Sequence, residues 1–213
     1  MITTVIFDFD GVIVESTKIK TMAFGKLFEH EHPEQVTAIV YYHVQNAGIS
    51  RYEKFRYIYK EILKRHLSDD EFQALCVQFA RIVMNEVIKA PYVKGAREFL
   101  ENYASTYRCF VASATPQEEI EKIIEERNSM RFFGKIYGAP YGKSNAVKDI
   151  LRKEEIEPLA AAYVGDALSD YHAAKDNSIN FVARINENET IFEDIDCVKV
   201  KDLTNLHNIF EEL

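Results

Sequence analysis

Two aspartates, Asp8 and Asp10, follow the first hydrophobic segment of the chain, in the run VIFDFDGVIV. The β-branched and aromatic residues of Ile2 to Phe7 predict a buried strand, which has no structural use for two carboxylates. At the carboxyl end of a strand they would lie in the crevice where open α/β folds bind ligands. Gly11 lets the backbone turn tightly there. One carboxylate could then act as a metal-binding nucleophile and the other as an acid and base.

Three later segments add polar groups of the same kind. Ser113 ends a second hydrophobic segment, and Lys143 stands alone after a loop that contains glycine and proline. Asp166 ends a third hydrophobic segment, and Asp170 follows one helical turn later. In order, the chain offers Asp-x-Asp, Ser, Lys and Gly-Asp-x-x-x-Asp. Each motif is weak alone, whereas four in sequence carry a strong functional signal.

This order of motifs resembles the haloacid dehalogenase-like phosphatase superfamily over essentially the whole chain. The resemblance implies that Asp8 attacks phosphorus and forms an aspartyl-phosphate. Asp10 would protonate the leaving alkoxide and later deprotonate the hydrolytic water. Ser113, Ala114 and Lys143 would bind the phosphoryl oxygens. The substrate would be a small phosphorylated metabolite, such as a sugar phosphate or phosphoglycolate.

The resemblance also implies a metal site. Asp8, the backbone carbonyl of Asp10 and Asp166 would bind the ion, and Asp170 would act at a greater distance or through water. Carboxylate, carbonyl and water ligands suit Mg²⁺ better than a soft metal. A divalent cation would also stabilise converging carboxylates as anions.

Two other functions stay open. Phosphosugar mutases of the β-phosphoglucomutase type resemble the chain, but they place a histidine where Lys20 stands and often have Lys-Pro where Lys143-Ser144 stands. A non-catalytic binding protein with the same fold is disfavoured by the intact Asp8, Asp10 and Asp166. Dehalogenases of the superfamily lack an aspartate at the position of Asp10.

Substrate choice is expected to depend on a helical region inserted after the first strand. Relatives that carry such a cap have a Gly-x-Ser-Arg segment facing the active site, which makes Arg51 the best candidate for a substrate-binding cation. His43, Asn46 and Lys54 are weaker candidates. His172 is expected to have a structural role rather than to bind metal.

The pattern of elements predicts an α/β fold, a Rossmann-like parallel sheet covered by helices. Apolar residues at helical spacing predict about four helices between residues 15 and 90, a helical-bundle cap. Strands and helices alternate from residue 91 onward, which favours a mostly parallel sheet. The catalytic core would comprise residues 1–14 and 91–213. Thr115 and Pro116 are expected to begin a helix, as its cap and its first residue.

Composition narrows the functional classes. The formal charge of −8 argues against nucleic-acid binding, which depends on cations that neutralise phosphates. The three cysteines are few and odd in number, so a disulfide framework is not expected. Met1 leads directly into the first strand without a signal peptide, and no apolar run is long enough for a membrane span. We therefore expect a cytoplasmic monomer or small homo-oligomer.

Overall fold

A parallel sheet forms the centre of the molecule. The structure, a computed structural model, describes residues 1–185 and 190–213. Its strands within this part of the chain are β1 (Thr4–Phe7), β2 (Arg108–Pro116), β3 (Lys135–Ala139), β4 (Ala161–Gly165), β5 (Asn180–Arg184) and β6 (Val198–Val200). Their order is β3-β2-β1-β4-β5-β6, and every neighbouring pair is parallel. The α/β, Rossmann-like fold predicted from the sequence is confirmed.

Helices occupy the connections between the strands. They are α1 (Thr17–Leu27), α2 (Pro33–Gln45), α3 (Arg51–Tyr57), α4 (Asp69–Lys89), α5 (Ala96–Tyr103), α6 (Gln117–Glu126), α7 (Lys143–Lys153), α8 (Leu168–Asp176) and α9 (Leu206–Glu212). A π-helical turn, Ile58–Ile62, continues α3. No helix in the described ranges is both long and apolar enough to cross a membrane.

Both faces of the sheet are buried, and this explains the run of apolar residues from Val5 to Phe7 in β1. Val5 and Phe7 share a core with residues of α5, α6 and α9, among them Phe99. Ile6 faces the opposite side, where it shares a core with residues of α7 and α8. Because successive side chains of a strand alternate between faces, a strand covered on both sides favours apolar residues at consecutive positions.

The first four helices, which we call the cap helices, form their own aromatic core. The rings of Phe24, Phe55 and Phe79 bring α1, α3 and α4 together at centroid distances of 4.9 to 6.1 Å. The longest of them, α4, begins at Asp69 with a capping box between Ser68 and Glu71.

The chain enters and leaves the cap helices at one place. The Glu15 N–H donates to the Pro91 carbonyl at 2.9 Å, and the Val93 N–H donates to the Ile13 carbonyl at 3.0 Å. Two connections side by side are what an insertion into the core requires. The division into a core and a cap of residues 15–90 stays a prediction.

The sequence prediction for the end of β2 is wrong. The strand runs through Pro116 rather than ending at Ser113, and α6 begins at Gln117 with Pro116 as its N-cap residue. Thr115 therefore does not cap the helix. Its hydroxyl is bonded to Asp10 instead, an interaction across 105 residues that local helix-start patterns do not encode. The short edge strand β6 was also not predicted.

Candidate active site

The carboxyl ends of β1 and β4 bring the predicted acidic residues together. Phe7 lies in register with Val164 of β4, so Asp8 and Asp166 leave adjacent strands at the same edge of the sheet. Asp170 lies in the first turn of α8, which follows β4. Asp8, Asp166 and Asp170 are buried, and each offers a carboxylate oxygen within 4.8 Å of the others.

Lys143 joins two of these carboxylates. Its ammonium donates to Asp8 Oδ2 at 2.8 Å and to Asp170 Oδ1 at 2.7 Å, and the side chain is buried at the start of α7. Burial opposes its charge, but Asp170 and Asp8 hold the pKa of Lys143 well above its usual value. Lys143 is therefore held as a cation between these carboxylates. Its predicted binding of phosphoryl oxygens stays a prediction.

The Asp8 carboxyl has a pKa near neutral pH when only protein groups surround it. Burial raises the pKa of Asp8 to about 7, and although Lys143 opposes this shift, Asp170 and Asp10 add to it. Its Oδ1 also accepts the Phe9 N–H at 2.6 Å. Three buried carboxylates facing one ammonium leave excess negative charge, and an all-oxygen donor set fits a hard divalent cation. The residues thus suit Mg²⁺.

Asp10 is held apart from this acidic group by its own partners. Ser16 donates to Asp10 Oδ1 at 2.6 Å, Thr115 donates to Oδ2 at 2.9 Å, and Lys20 forms an ion pair with Oδ2. Burial alone would raise the pKa of Asp10, but Lys20 and these hydrogen bonds hold it below its usual value. The Lys20 ammonium also donates to Thr115 Oγ1 at 2.7 Å. Asp10 is thus positioned as an anion by both β2 and α1.

This network predicts that Lys20→Met raises the pKa of Asp10. The substitution removes the nearest cation from Asp10 and leaves the effect of burial in place. The shift can be measured by ¹³C NMR titration of the side-chain carboxyl in the metal-free protein. Lys18→Met, on the exposed face of the same helix, is the matched control and should leave the titration unchanged. An unchanged pKa of Asp10 in Lys20→Met would contradict the assigned role of Lys20.

Two cavities meet at the predicted phosphoryl site. The small cavity has a volume of about 140 Å³, and its lining includes Asp8, Asp10, Asp166, Lys20 and Lys54. The large cavity, of about 750 Å³, is lined among others by Ser113, Lys143, Tyr52 and His172. Ala114 lines both cavities, as do Gly48 and Ile49 of the cap segment. The Ser113 hydroxyl oxygen accepts the Thr115 N–H at 3.1 Å.

Glycine is required where backbone approaches this site most closely. Gly11 has φ +79°, and a Cβ there would lie 2.0 Å from Asp166 Oδ2. Gly48 also has φ +79°, and its Cβ would lie 2.2 Å from Ser169 Oγ and 2.7 Å from Ala167 Cβ. Only a residue without a Cβ fits either place. Gly48 is thus the point where the turn between α2 and α3 approaches the start of α8.

Arg51 has a protein partner in this structure. Its guanidinium donates to both carboxylate oxygens of Glu119 on α6, at 3.0 and 2.7 Å, and lies 4.5 Å from the ring centroid of Phe79. The side chain is only 5% exposed. Arg51 therefore joins α3 to α6 through a two-point ion pair, which neutralises the charge that was expected to meet substrate. A direct contact between Arg51 and substrate stays a prediction.

We expect Arg51 and Glu119 to be energetically coupled. In a double-mutant cycle of Arg51→Ala and Glu119→Ala, the free energies of unfolding should be non-additive by about 1 kcal/mol or more. Urea unfolding of the four proteins gives the coupling directly. The same cycle with the exposed Arg56 in place of Arg51 should be additive. Additive losses of unfolding free energy in the Arg51 cycle would contradict an ion pair that stabilises the packing of α3 against α6.

The weaker candidates occupy different places. His43 and Lys54 line the small cavity, whereas Asn46 donates to the Tyr42 carbonyl of its own helix at 2.9 Å and lines neither cavity. His172 is exposed on α8 and does not belong to the acidic group.

Sequence reasoning missed the roles of Thr115, Lys20 and Glu119. Ser16 and Lys20 are one helical turn apart, a spacing that places both on one face of α1. In the structure this face meets Asp10. No local signal pointed to Glu119.

Comparisons with known proteins agree with this arrangement. A family model of the haloacid dehalogenase-like hydrolases matches residues 5–184. No curated protein matches the sequence. Among solved structures, a predicted phosphoglycolate phosphatase of Haemophilus somnus is similar, with 17% identity, 98% of this chain and 97% of that chain covered, and a TM-score of 0.77.

Two further structures extend the comparison. The β-phosphoglucomutase of Clostridium difficile is 17% identical to this chain and gives a TM-score of 0.75. The match covers 100% of this chain and 98% of the mutase chain. The magnesium-bound HAD-hydrolase YfnB of Bacillus subtilis has 13% identity, covers 99% of both chains and gives a TM-score of 0.73. At these identities the similarity shows a shared fold. Because the family model spans most of the sequence and its motif residues converge at one sheet edge, the chain belongs to the haloacid dehalogenase-like hydrolases.

Proposed function

We propose that this protein is a magnesium-dependent phosphatase that hydrolyses a small phosphorylated metabolite, a sugar phosphate or a phosphoglycolate-like ester. The observation that carries the proposal is the buried group of Asp8, Asp166 and Asp170 bridged by Lys143. A nucleophile, a fixed cation and an oxygen-rich metal site within one group are the parts that phosphoryl transfer needs.

The proposed reaction has two steps. A carboxylate oxygen of Asp8 attacks phosphorus and the ester P–O bond breaks. Asp10, an anion in the free protein, would take up a proton from solvent when the substrate binds, and it gives this proton to the leaving alkoxide. Asp10, now an anion, then takes a proton from water, which attacks phosphorus and releases phosphate from Asp8. Ser113, the Ala114 backbone and Lys143 would hold the phosphoryl oxygens in both steps. Lys20 stabilises the Asp10 carboxylate that the first step leaves, and the second step returns Asp10 to its protonated form.

Asp8, Asp166 and the backbone carbonyl of Asp10 would hold the Mg²⁺. When bound, the ion would offset the repulsion between the carboxylates and the phosphate oxygens. Asp170 would act on this site from a second layer, because its Oδ1 accepts from Lys143 and its Oδ2 accepts the Ala167 N–H at 3.1 Å. The magnesium-bound relative supports the choice of ion.

The surroundings of Asp10 favour a phosphatase over a mutase. Lys20 stands where mutases of the family place a histidine, and it forms an ion pair with Asp10.

The free cysteines Cys76, Cys109 and Cys197 support a reducing compartment, so we place the enzyme in the cytoplasm. Its partner would be the small substrate, with no nucleic acid or membrane involved.

A panel of phosphorylated metabolites assayed with Mg²⁺ tests the proposal. We expect phosphate release from at least one member, with kcat/KM clearly above that for an artificial aryl phosphate. Formation of an isomer that depends on a bisphosphate activator would instead identify a mutase. Absence of release from every ester by the folded, magnesium-loaded protein would contradict the proposed function.

A further inference from the structure

The small cavity contains a buried lysine that the proposed reaction does not use. Lys54, on α3, is 3% exposed and lines this cavity together with Asp8 and Asp10. Because Asp10 protonates the leaving group in the proposed reaction, the leaving group of a substrate bound at Asp8 would enter the small cavity. Lys54 would then face the part of the substrate that does not react.

The hydrogen bonds of Lys54 come from one neutral residue. Its ammonium lies 3.0 Å from His43 Nδ1 and 3.4 Å from the His43 carbonyl oxygen. Burial, together with the nearby Lys54 and Lys20, lowers the pKa of His43 to about 2, so the imidazole is neutral and Nδ1 accepts. Within residues 1–185 and 190–213, no carboxylate forms an ion pair with Lys54.

The other cations around the small cavity already have carboxylate partners. Lys20 is paired with Asp10, and Arg51 is paired with Glu119. Lys54 differs from both, because an ammonium buried without an anion costs free energy. Burial lowers its pKa to about 7, and Lys20 and Lys143 contribute. The carboxylates of Asp10 and Glu53 oppose this shift in part, although neither forms a hydrogen bond or an ion pair with Lys54 among the described residues. An incoming anion would therefore favour the charged form of Lys54. The part of the small cavity beside Lys54 is thus suited to bind an anion.

The size of the cavity limits which anion fits. At about 140 Å³, the small cavity has less than a fifth of the volume of the large cavity, which is about 750 Å³. This favours a leaving group of a few carbon atoms over a hexose ring. A planar carboxylate is also smaller than a second phosphate group.

We propose that Lys54 is a specificity-determining residue that binds the carboxylate of a short phosphorylated hydroxy acid. This proposal rests on the proposed phosphatase function, because the position of Asp8 and Asp10 in that reaction directs the leaving group toward Lys54. The neutral His43 orients the ammonium without competing for its charge.

Two esters of nearly equal size separate this role from general effects on the site. Phosphoglycolate carries a carboxylate, and 2-hydroxyethyl phosphate carries a hydroxyl in its place. In Lys54→Met, kcat/KM for phosphoglycolate should fall about ten-fold or more, mainly through KM, which is the scale of one hydrogen bond to a charged group. The value for 2-hydroxyethyl phosphate should stay within about two-fold of the wild-type value, since that ester has no second anionic group for Lys54 to bind.

Matched variants guard against a folding defect. Lys60→Met removes an exposed lysine from the adjoining π-helical turn and should change neither ester. Lys54→Gln keeps a polar side chain but loses the charge, and it should show the same selective loss as Lys54→Met. Equal losses for both esters in both Lys54 variants would overturn the proposal, as would a wild-type enzyme that prefers the neutral ester. Preference for 1,2-ethanediol bisphosphate over phosphoglycolate would overturn the choice of a carboxylate.

Calorimetry separates this proposal from the phosphatase function. Phosphoglycolate should bind wild-type protein about ten-fold more tightly than Lys54→Met, whether or not turnover occurs. Lys54-dependent binding without hydrolysis of any ester would support the anion site and contradict the proposed reaction. Equal binding by the two proteins would overturn the anion site and leave the reaction to the metabolite panel.

Discussion

Replacing Asp8 by asparagine should abolish turnover while leaving the fold intact. An amide cannot act as the anionic nucleophile, and it weakens a site that needs charged oxygen ligands. We expect kcat to fall by several powers of ten, on the order of 10⁴-fold or more, as is usual for a covalent nucleophile. The measurement is phosphate release from the best substrate of the panel at saturating Mg²⁺.

The structure indicates why Asp8→Asn should still fold. Burial already raises the pKa of Asp8 to about 7, so the site accommodates an uncharged side chain of this shape near neutral pH. Circular dichroism and the unfolding midpoint should therefore stay close to those of the wild type. Asp70→Asn, at an exposed position in the first turn of α4, is the matched control and should keep full activity. Retention of more than about a tenth of kcat by Asp8→Asn would remove Asp8 from its role.

Removal of divalent cations should have an effect of similar size. The buried carboxylates of Asp8, Asp166 and Asp170 face one ammonium, so the phosphate of a substrate would add to an already negative site. Chelation should abolish activity, and added Mg²⁺ should restore it. Ca²⁺ should substitute poorly, because its longer bonds and larger coordination number would let Asp8 bind it through both oxygens and occupy the attacking one.

An independent readout separates metal binding from loss of catalysis. Mg²⁺ should raise the unfolding midpoint of the wild type, because a ligand that binds only the native state stabilises it. Asp166→Asn should weaken this stabilisation, whereas Asp70→Asn should not. Full activity in excess chelator, with residual metal excluded by elemental analysis, would contradict the metal assignment.

The sequence predicted the parts of this site that depend on local pattern. Asp8 and Asp166 follow apolar segments that could only be buried strands, and parallel strands bring their carboxyl ends to one edge. Lys143 was identified by its place in the order of motifs, and the structure places its ammonium beside Asp8 and Asp170. The backbone of the shared fold determines the positions of these residues.

The residues that surround Asp10 could not be predicted in the same way. Thr115 looked like a helix cap because Pro116 and Glu118 follow it, but its hydroxyl bonds to Asp10 instead. The pair of Arg51 and Glu119 joins side chains 68 residues apart, so it depends on how α3 packs against α6. No periodicity or capping pattern encodes such a contact.

The central claim, a covalent phosphoryl group on Asp8, is tested most directly by trapping it. The enzyme would be mixed with Mg²⁺ and its best substrate, quenched in acid, and treated with borohydride, which reduces an acyl phosphate to the alcohol. Peptide mass spectrometry should find this conversion at position 8 only, dependent on substrate and Mg²⁺, and absent from Asp8→Asn. Phosphate release without modification of Asp8, or with modification of another residue, would contradict the account.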